Sequence, residues 1–214
     1  MSAARRLLAG IGCVFAAACS DPTVPARTPA YPFTDAFGDV FHWPADRLPV
    51  RVYADPRGDL RALVAHAVDS WERQFLYGEF RGAVVDDSGA TDVIVLWADS
   101  VPPPAEPDVG PPVKACNGLT EGLVDSTGTA FVGPFHIELS VPAGPVFTPG
   151  QVAACLQRTT IHEMGHALGL FQHSPDSLSD IMATPPRVNA PSAGDRRTVE
   201  TLYHTTPTLG PPPP

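Results

Sequence analysis

Apolar and polar residues change their period several times along the chain, and each change marks an element. Residues 48–55, LPVRVYAD, alternate as a half-buried strand does. Between 57 and 75, Leu60, Leu63, Val64, Ala67, Val68, Trp71 and Phe75 recur at three- and four-residue intervals, the stripe of an amphipathic helix. FRGAVVDD (80–87) is a second strand candidate, and TDVIVLWAD (91–99) a third whose continuous apolar centre predicts burial on both faces. Prolines strip backbone donors from SVPPPAEPDVGPPVKAC (100–116), which reads as a surface loop. A hairpin follows, GLTEGLV (118–124) turning at DSTG (125–128) and returning through TAFVGPFHIELSV, with Asp first and Gly last as a type I turn prefers. TPGQVAACLQRTTIHEMGHALG (148–169) then runs as one helix, capped by Thr148, entered through Pro149 and stopped by Gly169. The order of elements is α+β with an α/β-like first half.

Composition sharpens the borders. With 26 prolines and 18 glycines in 214 residues, the chain is too structured for wholesale disorder but has proline-rich ends, and its length suits one domain. A net charge of −9 with no Lys/Arg cluster excludes nucleic acid or an anionic membrane surface as a partner held by charge. Arg5 and Arg6 precede an apolar run over 7–18 that is too short to span a bilayer and reads as an export signal. Ala17 and Ala18 before Cys19 resemble the lipobox of bacterial lipoproteins, which implies a lipid on Cys19, although Ala16 stands where that pattern prefers leucine. Ordinary signal-peptidase cleavage near AAACS is the alternative. Export places the mature chain in an oxidising compartment, and with Cys13 removed and Cys19 lipidated, Cys116 and Cys155 remain to form one bridge. The expected organisation is a signal over 1–18, a proline-rich tether over 19–46, a domain over 47–206 and a proline-rich tail over 207–214.

The chemistry concentrates in HEMGHALGLFQH, residues 162–173. Residues four apart on a helix differ by roughly 40° around the axis and about 6 Å along it, so His162 and His166 share a face and can hold one ion. Glu163, about 100° from His162, suits a residue beside the metal better than a third ligand. Gly169 can end the helix in a left-handed conformation and let the chain return His173 to the same ion, leaving a fourth zinc position for water. The five fixed residues would occur together by chance with a probability on the order of 10⁻⁴ in a chain of this size.

HExxHxxGxxxH followed by a methionine, here Met182 in SLSDIMATPP, resembles the HExxHxxGxxH signature of the metzincin zinc peptidases, from which it departs by one extra residue between Gly169 and His173. The short distance from His173 to Met182 and the later PSAGDRRTVETLY look most like the matrixin branch and its bacterial relatives. The resemblance implies a zincin fold: a twisted, mixed five-stranded sheet with one antiparallel edge strand, two long helices, a zinc-binding helix, a methionine turn and a C-terminal helix. It implies one catalytic zinc on His162, His166 and His173, Glu163 as general base and Met182 as a hydrophobic floor. It further implies that Gly118, Leu119, Thr120, Glu121, Gly122, Leu123 and Val124 form the edge that lines the cleft and pairs with an extended peptide. A covering of that edge by the proline-rich loop is the alternative. The cysteine-switch motif of the vertebrate enzymes is absent, as is the tyrosine that some branches place after the methionine. Structural calcium or a second zinc is left open. His136 reads as a strand surface residue, and His42, His66 and His204 as ordinary histidines.

The expected function is that of a metalloendopeptidase acting as a monomer on protein or peptide substrates. It would be exported, either as a bacterial cell-envelope lipoprotein touching the membrane only through its lipid or as a secreted protein. Two other classes stand beside it: a zinc-binding but catalytically silent surface lipoprotein for adhesion or recognition, and a structural lipoprotein carrying the motif by chance.

Overall fold

The computed structural model describes residues 27–101, 116–141, 148–176 and 178–213. The expected signal, Cys19 and most of the proline-rich loop lie outside them. The strands are β1 (Val50–Ala54), β2 (Gly82–Val85), β3 (Val93–Trp97), β4 (Asn117–Glu121) and β5 (Phe135–Ser140). The helices are α1 (Leu60–Glu72), α2 (Pro149–Ala167) and α3 (Ala193–Tyr203). One mixed five-stranded sheet has the order β2-β1-β3-β5-β4, with β1, β2, β3 and β5 parallel and β4 antiparallel at the edge beside β5. This is the α+β architecture expected from the sequence, a mixed five-stranded sheet with one antiparallel edge strand. α1 packs on β1, β2 and β3, α2 packs on β4 and β5, and the two helices touch, so both cover the same face.

The local causes are those of the pattern. α1 buries Leu60, Val64, Ala67, Val68 and Trp71, and the Trp71 indole donates to the carbonyl of Ile161 on α2 at 2.8 Å. α2 begins with a full capping box, in which the Thr148 hydroxyl accepts from Gln151 N–H and the Gln151 side chain accepts from Thr148 N–H, with Pro149 at the first helical position. It stops at Gly169, whose φ of +103° is left-handed and whose Cα hydrogen faces the Phe41 carbonyl, where any Cβ would collide. The hairpin turns at Asp125–Gly128, closed by Gly128 N–H donating to Asp125 C=O, with further pairing of Val124 and Phe131.

Three expectations need correction. β3 is central and parallel but is not buried on both faces: Val93 and Val95 are buried, while Ile94 and Leu96 are only half-buried, because the helices cover one side. The segment expected as a tether joins the core from Tyr31 onward, with Tyr31, Phe33, Val40, Phe41 and Trp43 all buried. Phe41 packs its ring against Trp43, Phe131 and Phe135, and the Trp43 indole donates to Ala167 C=O at 2.9 Å, just before the end of the metal-motif helix. The packed unit therefore starts well before residue 47. The expected tail is also docked: Thr208 and Leu209 N–H donate to Val40 C=O, Gly210 pairs with Ala130, and Leu209 is buried.

Cys116 and Cys155 form a disulfide with a Cα–Cα distance of 5.5 Å and a sequence separation of 39. It ties the start of β4 to α2 about two turns before His162. On the chain-entropy model, closing a loop of this size stabilises the fold by about 4 kcal/mol.

Candidate metal centre

α2 carries His162 and His166 on one face, as their spacing requires, and the reversal after Gly169 brings back His173. The three Nε2 atoms converge, His166 lying 3.1 Å from His162 and 3.2 Å from His173. His162 Nδ1 donates to the Ile181 carbonyl at 2.8 Å and His166 Nδ1 to the Leu170 carbonyl at 2.5 Å. A carbonyl can only accept, so these contacts place the proton on Nδ1 and leave Nε2 as a bare lone pair. Lone pairs this close repel unless something positive sits among them. Burial and the neighbouring imidazoles hold His162 far below the usual histidine range and His166 down to about 3, so protonation is not the remedy. The nitrogen spacing matches three legs of a tetrahedral zinc site with bonds of about 2.0–2.1 Å. The donor set therefore fits the ion that the motif implies.

Glu163 faces the same space and is 5 % exposed. Burial raises its carboxyl to about 7, against the lowering effect of a hydrogen bond from Thr120. A cation among the histidines acts in the lowering direction too. Met182 is fully buried under the site. Gly165, inside the motif, makes this possible, since a Cβ there would collide with the Met182 sulfur and stand 2.7 Å from Trp71.

These groups line a cleft of ≈ 660 Å³ between β4 and the loop after Met182. Gly118, Leu119, Thr120, Gly122 and Val124 of the expected edge form one wall, and Thr184, Pro185 and Pro186 stand on another. Glu121 and Leu123 are exposed and do not line it. Among the described residues β4 has a sheet partner only on its β5 side. His136 is exposed on β5, the His42 ring stacks on Tyr203, His66 bonds Gln157 and His204 faces Glu79; none joins the histidine cluster.

No family model matches the chain, and no curated protein matches it. Among solved structures, it is similar to high choriolytic enzyme 1, a hatching enzyme zinc-protease from Oryzias latipes (medaka fish), with a TM-score of 0.40 and 16 % sequence identity over 78 % of this chain and 95 % of that chain.

Sequence reasoning missed the groups that hold the site in place. Asp195 is fully buried and accepts from Ile181 N–H at 2.8 Å, Met182 N–H at 3.3 Å, Ser192 N–H at 2.7 Å and the Tyr31 hydroxyl at 2.7 Å. It thereby anchors the residue whose carbonyl orients His162. Asp180 accepts from the hydroxyls of Ser174 and Ser192, each at 2.5 Å, while Ser174 N–H donates to Met182 C=O at 2.9 Å, which fixes the chain directly after His173. Ser192 and Asp195 also form the capping box of α3. The S-x-x-D spacing in PSAGDRR was the available signal, but it spoke for a helix start and not for a support of the methionine turn.

Proposed function

We propose that this chain is a zinc-dependent endopeptidase, with His162, His166 and His173 as the ligands and Glu163 as the general base. The observation that carries this reading is the convergence of three Nε2 atoms, two of them left as lone pairs by an Nδ1 committed to a backbone carbonyl, beside a buried carboxylate at the floor of an open cleft. Bound there, zinc supplies a Lewis acid that lowers the pKa of a water from about 16 toward roughly 7 and polarises the scissile carbonyl. Glu163 takes the proton from the attacking water and returns it to the leaving amine. The imidazoles are kept in the ligating tautomer by Ile181 and Leu170, and Met182 closes the floor against solvent. The short interval from His173 to Met182 and the helix α3 after it favour the matrixin branch of the metzincins.

The substrate in this reading is a protein or peptide in extended form, held as an added strand by the edge of β4 that has no sheet partner among the described residues. Main-chain pairing makes little demand on side chains. Cleavage by the zinc-loaded protein is expected to rise as a model peptide is lengthened by several residues on either side of the cut, and to fall when its backbone amides are N-methylated with side chains unchanged. A rate indifferent to both changes would remove β4 from substrate binding, and no cleavage of any peptide in a proteome-derived library by zinc-loaded protein would remove the peptidase reading.

The disulfide belongs to an oxidising compartment. We propose export with lipidation at Cys19, which would put the domain on a cell-envelope membrane as a monomer. Mass spectrometry of the mature N-terminus should find a lipid-modified cysteine as the first residue. An unmodified N-terminal peptide starting at or before Cys19 would mean a secreted protein.

A further inference from the structure

β4 carries two residues that face Glu163 and are not explained by substrate pairing. Gly118 and Thr120, two apart on a strand, project to the same face, toward α2. The Thr120 hydroxyl lies 2.7 Å from Glu163 Oε2 and 3.0 Å from the carbonyl oxygen of the same residue. A Cβ on Gly118 would overlap the Glu163 carboxyl, at 2.5 Å from Cγ and 2.7 Å from Cδ. The edge strand thus leaves a slot the width of one carboxylate and closes it with one hydroxyl.

We propose that Thr120 is a positioning residue for the general base, with Gly118 providing the space in which it is positioned. The inference rests on the reading of Glu163 as that base. A glutamate has three side-chain torsions, and an unheld carboxylate would spend much of its time out of line with the proton it must take. Thr120 occupies one carboxylate oxygen and leaves the other for the attacking water. A hydroxyl has a single proton, which favours the ionised carboxylate because a charge-assisted bond is the stronger. When Glu163 has taken the attacking water's proton on its other oxygen, Oε2 still accepts from the Thr120 hydroxyl, more weakly because the carboxyl is now neutral, so the group is held without being trapped in one protonation state. A lysine or arginine in that place would hold the charge too tightly to allow proton return. The same strand that pairs with substrate therefore also aims the base, which couples the scissile bond and Glu163 to one rigid element.

The test compares Thr120→Val, which keeps the shape and removes the hydroxyl, with Thr120→Ser, which keeps the hydroxyl, and with Gly118→Ala. In the zinc-loaded enzyme, Thr120→Val should lower kcat by about tenfold to a hundredfold with KM nearly unchanged, and Gly118→Ala by at least as much. Thr120→Ser should restore most of the loss. A second readout needs neither zinc nor turnover: in isotope-edited infrared spectra of metal-free protein, the band lost in Glu163→Gln should shift in Thr120→Val and return in Thr120→Ser. Unchanged kcat in Thr120→Val, an equal loss in Thr120→Ser, or an unshifted Glu163 band would overturn the role. If the band shifts as expected but wild-type protein cleaves nothing, the contact stands and the peptidase reading is what has failed.

Discussion

Glu163→Gln is expected to abolish peptide cleavage while the protein still binds one zinc. The substitution keeps the size and the hydrogen-bonding shape of the side chain but removes the basic oxygen. Glu163 is not among the converging ligands, whose Nε2 atoms and carbonyl-bound Nδ1 protons are untouched. General bases of this kind contribute about 10²–10⁴-fold, so kcat should fall at least ~10²-fold. Zinc content by elemental analysis should match that of the wild type. The neutral amide also suits the buried position, where burial already disfavours the charged form, so stability should not fall. Turnover near the wild-type rate would refute the role of base, whereas loss of zinc together with activity would show that Glu163 supports the metal instead.

The second large effect is expected at Asp195, which lies behind the cleft and does not line it. Replacing it by Ala leaves the buried N–H groups of Ile181 and Met182, the buried Tyr31 hydroxyl and the half-buried Ser192 N–H without their acceptor. Unsatisfied buried donors cost about 1–3 kcal/mol each and do not add independently, so a loss of about 3–5 kcal/mol is expected. In a domain of this size that lowers the melting temperature by roughly 10 °C. Because Ile181 orients His162, zinc affinity should drop by about 10–100-fold, the usual effect of losing such an outer support. Tyr31→Phe removes one of the four donors and should show the same two effects in weaker form. An Asp195→Ala protein that melts lower but binds zinc as the wild type does would make the network purely structural.

Helix α2 and its motif were legible because everything they need is local. The cap at Thr148, Pro149, the four-residue step from His162 to His166 and the left-handed stop at Gly169 are all set by helix geometry within one segment. The strands β1 and β3 and the stripe of α1 came from periodicity in the same way, and the hairpin from its turn residues. The antiparallel edge of β4 was not legible from its own pattern, since a half-buried five-residue strand looks alike at an edge or in the middle; it came from the family resemblance.

What the sequence by itself determined about this protein is thus the kind of element at each place, the three histidines that converge, the glutamate beside them and the pair of cysteines free to bridge. Only the tertiary structure decided that Tyr31, Phe41 and Trp43 belong to the core, because aromatic residues without a period reveal nothing until there is a surface for them to cover. It alone decided that Asp195 holds Ile181 and Met182, that Ser174 and Asp180 fix the return of His173, and that Gly118 and Thr120 enclose Glu163. The contacts of Asp195 and those of Gly118 and Thr120 join different parts of the fold, while Ser174 and Asp180 meet across one loop. Their partners are chosen by how α2, β4 and the methionine turn stack on one another, and no spacing along the chain encodes that choice.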